Sequence, residues 1–359
     1  MNRPETISEK LDNVASLRLM DPGGMLQSLE SFPSQIREAN ELGSKFEANF
    51  SENVRNVVIT GLGGSAIGGE VVQSVACAGC SVGIYVNREY RVPAFVGEET
   101  LVVACSYSGN TEETLSAYCA ALERKARLIA ITSGGELAER ARKDGVAVVK
   151  IPSGRQPRTA IAYSVFPLLW ILRRFGLCMW HGDLVQEVLA VTAAACGRYR
   201  PEMEGGLNSA KQIASSLHAR IPVIYAPSDP LGAVATRWKG QFSENAKSLA
   251  MQNVLPEMTH NEIVGWKHPE WIRQTQVVCL RDRDEHPHVA ARFEFLTQRL
   301  SSITSVLQFR GDGESLLARI FSLILLGDYA SVYLAFLYSE DPTPVEVIEQ
   351  LKQSLRGVP

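Results

Sequence analysis

The alternation of short apolar runs with helical patterns constrains the fold of this chain more than any other feature. The first half has five such runs, at residues 57–60, 83–86, 101–105, 128–132 and 146–151. Each is rich in Val, Ile or Leu, and each is followed by Gly, Ser or Asn and then by a stretch with helical periodicity. Continuous apolar runs between helices are typical of a parallel sheet that is buried on both faces.

The same alternation starts again in the second half of the chain. Strand-like runs occur at 222–226, 276–280 and 305–309, with helical patterns between them and two long helices at the end. A segment rich in small residues, 193–206, divides the halves. We therefore predict an α/β protein with two doubly wound parallel-sheet domains in flavodoxin-like strand order. The predicted limits are 1–50 for an N-terminal helical segment, 51–195 for the first domain and 200–359 for the second.

Composition and charge narrow the class of protein. Of the 359 residues 45% are hydrophobic and 21% are charged, as in soluble globular proteins, and the net charge is -3. This charge gives no electrostatic reason to bind nucleic acid or an acidic membrane surface. The most apolar helical stretches, 161–172 and 316–337, are interrupted by Arg, Asp, Pro or Gly and are predicted to be buried helices. Residues 1–10 lack the apolar run of a secretory signal.

Cysteine usage points to a reducing compartment. The seven cysteines are odd in number and mostly lie in apolar segments, as Cys105 and Cys279 do, so we expect a cytoplasmic protein. Cys77 and Cys80 form a single CxxC pattern without a second pair or a histidine cluster nearby. A zinc ribbon needs four ligands, and a redox motif usually opens a helix. We interpret this pair as small apolar residues at the end of a helix.

A glycine-rich turn follows the first strand. Residues 61–70 read Gly-Leu-Gly-Gly-Ser-Ala-Ile-Gly-Gly-Glu. The first residues of this turn resemble a dinucleotide-binding turn. However, the second strand ends at Asn87, where an acidic residue would be needed to bind a ribose. Ser65 instead places a hydroxyl beside the free amides of a helix N-terminus, which suits a phosphate group. A tight turn without a ligand is the simpler alternative.

A serine loop follows the third strand. Residues 106–114 read Ser-Tyr-Ser-Gly-Asn-Thr-Glu-Glu-Thr, so three hydroxyls precede a predicted helix. A helix cap needs one of them, and the surplus favours an anionic ligand. Because both loops follow the carboxyl ends of neighbouring strands, they are expected to meet at the edge where open α/β sheets bind ligands.

These two loops resemble the sugar isomerase (SIS) domain, and specifically the bifunctional phosphoglucose/phosphomannose isomerase family. The second half is similar to the same family at Glu-Asn-Ala-Lys, residues 244–247, and at His-Asn-Glu, residues 260–262. The resemblance covers most of residues 50–359. It implies two SIS-like domains and an enzyme that interconverts glucose 6-phosphate, and also mannose 6-phosphate, with fructose 6-phosphate. By the same resemblance the phosphate ligands are Gly64, Ser65, Ser106, Ser108 and Thr111.

Aldose–ketose isomerisation needs a group that opens the sugar ring and a base that moves one proton through a cis-enediol. A carboxylate in a partly buried site can take and return the carbon-bound proton. An imidazole can move the proton of the ring oxygen in either direction. The resemblance assigns the base to Glu244 and the ring opening to His260. Taken singly, each is also explained without catalysis, Glu244 as a solvated carboxylate at a helix end and His260 as a neighbour of a helix cap.

The enediol intermediate also needs a cation. Residues 152–160 read Pro-Ser-Gly-Arg-Gln-Pro-Arg-Thr-Ala, and the family has a similar Gly-x-x-Pro-Arg element. We assign Arg158 to stabilising the enediolate and Arg155 to the rim of the site, with two ordinary surface charges as the alternative. The family also ends on a similar helix whose lysine reaches the active site, which makes Lys352 a candidate for binding substrate. A lysine on a terminal helix is more often only solvated.

The resemblance implies no metal and no cofactor, and a small sugar phosphate as the partner instead of nucleic acid or a membrane. It also implies a homodimer in which His260 serves the site of the other subunit. Fifteen residues separate Glu244 from His260, and the apolar, partly extended stretch 249–255 between them can carry the chain away from the first site.

Two other functions of SIS-type proteins fit the sequence less well. A non-catalytic regulator that binds sugar phosphates usually carries a helix-turn-helix module, and this chain has neither such a pattern nor a basic excess. An enzyme that makes glucosamine 6-phosphate needs an N-terminal glutaminase domain, commonly opening on a nucleophilic cysteine. The first fifty residues do not supply one.

Overall fold

The computed structural model describes residues 6–47, 53–77, 79–179 and 181–355. The strands in these ranges are β1 (Asn56–Thr60), β2 (Gly83–Asn87), β3 (Thr100–Ser106), β4 (Arg127–Thr132), β5 (Ala147–Lys150), β6 (Ile221–Pro227), β7 (Met251–Leu255), β8 (Thr275–Arg281) and β9 (Val306–Arg310). The helices are α1 (Ile7–Asp12), α2 (Val14–Leu19), α3 (Met25–Glu30), α4 (Phe32–Ser44), α5 (Gly64–Ala76), α6 (Glu112–Glu123), α7 (Gly135–Lys143), α8 (Ala162–Arg174), α9 (Leu184–Tyr199), α10 (Ser209–Leu217), α11 (Ser228–Ala246), α12 (Pro269–Ile272), α13 (Pro287–Leu300), α14 (Leu316–Leu337) and α15 (Glu346–Ser354).

The strands form two separate parallel sheets, as predicted. Sheet 1 has the order β2-β1-β3-β4-β5, which is the flavodoxin-like order, and sheet 2 has the order β7-β6-β8-β9. Every pairing in both sheets is parallel. All seven residues of β3, in the middle of sheet 1, are buried, which explains why its sequence is a continuous apolar run. The predicted fold class is therefore confirmed.

One strand, β7, was foreseen only as a partly extended stretch. Its sequence, Met-Gln-Asn-Val-Leu, mixes polar and apolar residues, and only Leu255 is buried. It pairs with β6 on one side and forms an edge of sheet 2. An edge strand is half exposed, so the apolar run that marks the central strands is missing here.

The N-terminal helices belong to the common core. Leu11, Leu17 and Ile36 of these helices are buried, and α4 packs against α8 and α9. Four helices, α1 to α4, form most of the described part of residues 1–50, with turns between them, and residues 1–5 and 48–50 lie outside the described ranges. Position 195, where the first domain was predicted to end, lies inside α9. The domain limits stay predictions.

Helix α14 is the central helix of the protein. Among the described residues it is the one helix with the length and hydropathy of a membrane span, and its most apolar window is completely buried inside the protein. It packs against α9, α10 and α11. The stretch 161–172, also predicted to be a buried helix, forms most of α8 and is buried almost throughout.

The two halves share one hydrophobic core. A single cluster contains Ile59 and Val103 from sheet 1 together with Ile224 and Val278 from sheet 2. Helix α5 of the first half packs against α11 of the second, and also against α8. This packing brings the last turn of α11 to the carboxyl edge of sheet 1, where the predicted phosphate loops lie.

Two of the glycines in the turn after β1 serve helix packing. A Cβ atom on Gly68 would lie 2.6 Å from Oγ of Ser164 in α8, and one on Gly69 would lie 2.9 Å from Cγ2 of Ile59 in β1. Real side chains do not approach so closely, so α5 can lie this near to α8 and β1 only with glycine at both positions. The second Gly-Gly pair of the motif is therefore explained without a ligand.

Candidate active site

The glycine turn and the end of β3 touch each other. A Cβ atom on Gly61 would lie 2.8 Å from the carbonyl oxygen of Cys105, so the turn passes directly over the end of β3. Helix α5 begins at Gly64, and both Gly64 and Ser65 are partly buried in its first turn. The Ser65 and Ala66 amides of this turn donate to the Leu62 carbonyl oxygen at 3.1 and 3.5 Å, so among the described residues the Gly64 amide is the donor left for an anion beside the Ser65 hydroxyl.

The serine loop is held by its own hydroxyl groups. Ser106 is buried, and its Oγ lies 2.8 Å from Oγ1 of Thr111 and accepts a 3.1 Å hydrogen bond from the Gly109 amide. Ser108 is exposed, and its Oγ accepts a 3.2 Å bond from the Asn110 amide. Three of the predicted phosphate ligands thus lie in one loop at the start of α6.

Glycine at position 109 is required by the loop itself. Its φ is +74°, and a Cβ atom there would lie 1.8 Å from the carbonyl oxygen of Gly134 in the next loop. No other residue fits this contact without moving the backbone. The close approach locks the serine loop against the loop that follows β4.

Tyr107 and Arg155 connect the serine loop to the arginine segment. The Tyr107 hydroxyl accepts a 3.0 Å hydrogen bond from the Arg155 amide, and burial raises the pKa of Tyr107. The Arg155 guanidinium donates through Nη1 to Oγ of Ser31 at 3.3 Å. Its charge is therefore directed toward the N-terminal helices, whereas its backbone holds the loop in place. A small cavity between these segments is lined by Gly64, Ser65, Tyr107, Pro157 and Tyr163, among other residues.

Arg158 is the point where the two halves of the site meet. It is 4% exposed and lies on a 3-10 turn, Pro157–Thr159, between β5 and α8. Its Nε donates to Oδ1 of Asn245 at 2.6 Å, and its Nη2 donates to the carbonyl oxygens of Pro342 and Thr343, each at 2.7 Å. Its Nη1 lies 3.7 Å from Oε2 of Glu244. Among the described residues Nη1 has no hydrogen-bond acceptor, so this nitrogen is available to a ligand.

Glu244 stands at the C-terminal end of α11 with about a third of its side chain exposed (34%). Lys247 closes the same helix end, since its Nζ donates to the carbonyl oxygens of Glu244 and Asn245 at 3.2 Å and of Asp341 at 2.6 Å. Burial and the Arg158 charge lower the pKa of Lys247. The pKa of Arg158 is lowered by burial, and Glu244 opposes that shift. A carboxylate and two cations thus converge at one helix end.

A buried polar network behind the site fixes Arg158 from the other side. Nη2 of Arg237 donates to the Arg158 carbonyl oxygen at 2.7 Å. Arg237 also forms a bidentate ion pair with Asp328, from Nε to Oδ1 at 3.0 Å and from Nη2 to Oδ2 at 2.7 Å. Gln241 adds a 2.8 Å bond to Asp328, and Asn245 donates to Ser331 at 2.8 Å. Burial raises the pKa of Asp328, and Arg237 opposes that shift. Helices α11 and α14 are therefore tied together directly behind Glu244.

We expect Asp328→Ala to lower the free energy of unfolding by about 3–5 kcal/mol, because it leaves the Arg237 guanidinium buried without a counter-charge. Urea unfolding of parent and variant measures this loss. The matched control is Arg237→Met combined with Asp328→Leu, which removes both charges and should regain most of the lost stability. An Asp328→Ala protein as stable as the parent would contradict this account of the network.

His260 lies far from this cluster. It ends a 3-10 turn, Glu257–His260, beyond the carboxyl end of β7, and it is exposed. Glu262 fixes the turn, since its carboxylate accepts a 2.6 Å bond from Asn253 and a bond from the hydroxyl of the buried Tyr225. The predicted pair of Glu244 and His260 is therefore not brought together within one chain.

Lys352 lies on α15, the last described helix, and its side chain is exposed. None of the residues of α15 is buried. The segment before the helix is nevertheless fixed to the site, because Arg158 holds the carbonyl oxygens of Pro342 and Thr343. The start of α15 is thus anchored at Arg158, and its apolar side chains Val347 and Leu351 are exposed.

The chain is similar to known proteins over almost its whole length. Residues 207–355 match the bacterial phospho-glucose isomerase C-terminal SIS domain. The bifunctional phosphoglucose/phosphomannose isomerase of Caldicellulosiruptor bescii is 45% identical over 93% of this chain and 99% of that protein. The protein of the same name from Aquifex aeolicus is 36% identical over 84% of this chain and 91% of that protein. A hypothetical protein from Thermus thermophilus, at 16% identity, has the same fold with a TM-score of 0.72 over 98% of this chain and 94% of that chain.

The two parallel-sheet domains, and the match of residues 207–355 to an SIS domain of a phospho-glucose isomerase, make this chain an isomerase of the SIS-domain class. The chain belongs to the bifunctional phosphoglucose/phosphomannose isomerase family. The resemblance inferred from the loop motifs is thus confirmed for the family, the fold and the class of enzyme.

Proposed function

We propose that this protein interconverts glucose 6-phosphate and fructose 6-phosphate, and also mannose 6-phosphate and fructose 6-phosphate, through a cis-enediol. The observation that carries the proposal is the approach of Arg158 to Glu244, 3.7 Å between Nη1 and Oε2, on the sheet edge where the phosphate loops end. A partly exposed carboxylate can reach a ligand there, and a buried guanidinium nitrogen beside it can stabilise an anionic intermediate.

In this proposal each group of side chains has one task. The Gly64 amide and the Ser65 hydroxyl at the α5 N-terminus, together with the hydroxyls of the serine loop, hold the 6-phosphate. Glu244 moves a proton between C2 and C1, and Nη1 of Arg158 stabilises the negative charge of the enediolate. His260 transfers the ring-oxygen proton, and Lys352 contacts the substrate from α15.

Mannose is included because the intermediate is shared. Glucose 6-phosphate and mannose 6-phosphate differ only in configuration at C2, and that configuration is lost when C2 becomes planar in the enediol. A site that returns the proton to either face of C2 therefore connects both aldoses to one ketose. We place this activity in the cytoplasm, in glycolysis and gluconeogenesis.

The proposed unit is a homodimer in which two subunits complete each site. Large apolar side chains, which a monomeric protein usually buries, are exposed near β7, His260 and α15. They are Leu249 and Met251 at β7, Val264 beyond His260, and Val347 and Leu351 on α15. A two-fold interface that covers such faces would also bring the exposed His260 of one subunit to the other.

A coupled assay tests the reaction directly. We expect fructose 6-phosphate to form from glucose 6-phosphate and from mannose 6-phosphate, with glucosamine 6-phosphate unreactive, and the rates to persist in EDTA. Tight binding of all three sugars without turnover would favour a sugar-phosphate-binding regulator and overturn the proposal.

Replacing Ser106 and Ser108 together with Ala should raise KM by about 10²–10⁴-fold, because each lost hydrogen bond to a charged group contributes about 1.5–3 kcal/mol. Ser133→Ala is the matched control, since this hydroxyl bonds the Tyr107 carbonyl oxygen at 2.7 Å and lies outside the serine loop. Steady-state kinetics give KM, and inhibition by a sugar-acid phosphate gives an independent measure of anion binding. Equal inhibition of the double variant and the parent would place the phosphate elsewhere.

A further inference from the structure

Cys80 and Cys178 lie directly opposite each other in an isolated antiparallel bridge. The flanking hydrogen bond, from the Ser81 amide to the Leu177 carbonyl oxygen at 3.2 Å, identifies them as a non-hydrogen-bonded pair. The Cα atoms of such a pair are about 4.5 Å apart and the side chains are close. This separation is within the range of about 4.4–6.8 Å that a disulfide requires.

The two thiols differ in accessibility. Cys178 is buried and Cys80 is partly buried, and both are free thiols in the structure. Burial raises the pKa of the Cys178 thiol, and the nearby Cys80 adds to the shift. Cys77, the other member of the CxxC pattern, is exposed and follows the end of α5. The fold thus gives Cys80 a different partner from the one that its sequence motif suggests.

We propose that Cys80 and Cys178 are a site of reversible disulfide formation that clamps α5 to α8. A low-molecular-weight disulfide such as oxidised glutathione is the oxidant. The Cys80 thiolate attacks one glutathione sulfur, breaks the S–S bond and releases one glutathione thiolate. The Cys178 thiolate then attacks Cys80 in the mixed disulfide and releases the second. Two protein thiols lose two protons and two electrons, and one oxidised glutathione becomes two reduced molecules.

The position of the bridge gives it a mechanical consequence. Helices α5 and α8 pack side by side, and both begin at the candidate site: Gly64 starts α5, and a Cβ atom there would lie 3.1 Å from the Pro157 carbonyl oxygen, just before α8. Cys80 and Cys178 come after the opposite ends of the same two helices. A bond between them would close a loop of about 100 residues, and long loops give large stabilisation. It would leave the site itself untouched.

The test equilibrates the full chain in glutathione buffers of increasing oxidised fraction and maps the disulfide by peptide mass spectrometry after alkylation. We expect a linked peptide pair containing Cys80 and Cys178. We also expect the oxidised protein to unfold about 5–10 °C higher than the reduced one in thermal denaturation. Isomerase activity should stay within about twofold, because the bond lies at the far ends of the helices.

Variants separate this bridge from the sequence motif. Cys80→Ser and Cys178→Ser should each abolish the difference in unfolding temperature between oxidised and reduced protein, measured within the same variant. Cys77→Ser, the matched control, should keep it. A Cys77–Cys80 peptide that is lost in Cys77→Ser, or a Cys178 thiol that stays alkylatable in the oxidised protein, would overturn the proposal. A linked Cys80–Cys178 peptide without a rise in unfolding temperature would contradict the proposal that the disulfide stabilises the packing of α5 against α8.

Discussion

Replacing Glu244 with Gln is expected to lower kcat by about 10²–10⁴-fold, the usual contribution of a positioned general base. The amide has nearly the same size as the carboxylate but cannot accept the proton from C2. Substrate binding should change little, because the phosphate contacts lie in other loops. Fructose 6-phosphate formation gives kcat, and deuterium uptake from heavy water at C2 reports the proton transfer directly.

The structure indicates that this loss would be catalytic and not structural. The Glu244 side chain is about a third exposed, and its Oε2 lies 3.7 Å from Nη1 of Arg158, which is beyond hydrogen-bond distance, so Gln at this position breaks no hydrogen bond to Arg158. Arg158 remains held by Asn245, Pro342 and Thr343 in the variant. Glu244→Asp, which keeps the charge but shortens the side chain, should retain part of the activity. Deuterium uptake at the parental rate in Glu244→Gln would remove Glu244 from the role of base.

Local sequence patterns predicted the features that depend on neighbouring residues. The central strands are continuous apolar runs because both faces of each sheet are covered, so β3 and β6 could be found from the sequence alone. The alternation of strands and helices predicts a doubly wound parallel sheet, and in such a sheet the loops after β1 and β3 lie at the same carboxyl edge.

Features that depend on helix packing could not be predicted in this way. Arg158 meets Asn245 only because α5 and α11 pack together, and the motif gave no sign that Asn245 would hold the guanidinium. No sequence pattern pairs Arg237 with Asp328, which are 91 positions apart and lie on α11 and α14. Position 80 appeared to belong with Cys77, and its opposition to Cys178 depends on how the ends of α5 and α8 meet.

The positions of Glu244 and His260 in one chain explain why a second subunit is proposed. Strands β6 and β7 are parallel, so α11 between them runs back to the amino edge of sheet 2, and Glu244 lies near that edge. His260 follows the carboxyl end of β7. The five residues of β7 span about 16 Å at about 3.3 Å per residue, so the two side chains lie at opposite edges of the sheet. A base and a ring-opening acid acting on one sugar need to be much closer.

Combining two inactive chains is therefore expected to restore activity. Glu244→Gln and His260→Ala should each be nearly inactive alone, since each site of either homodimer lacks one group. Co-expressed in equal amounts, they pair at random, and about half of the dimers are mixed. In a mixed dimer one site receives the intact Glu244 of one chain and the intact His260 of the other. The preparation should thus reach about one quarter of the parental activity per site, measured as fructose 6-phosphate formation.

The control pairs the parent chain with a chain that carries both Glu244→Gln and His260→Ala. Shared sites and sites within one subunit predict different activities for this mixture. If the sites are shared, both sites of every mixed dimer are defective. Only the parental dimers, about one quarter of the total, are then active. If His260 served its own subunit, the mixed dimers would keep one working site and activity would reach about one half. In that arrangement the two single variants would also stay inactive together, because every site would still lack one group.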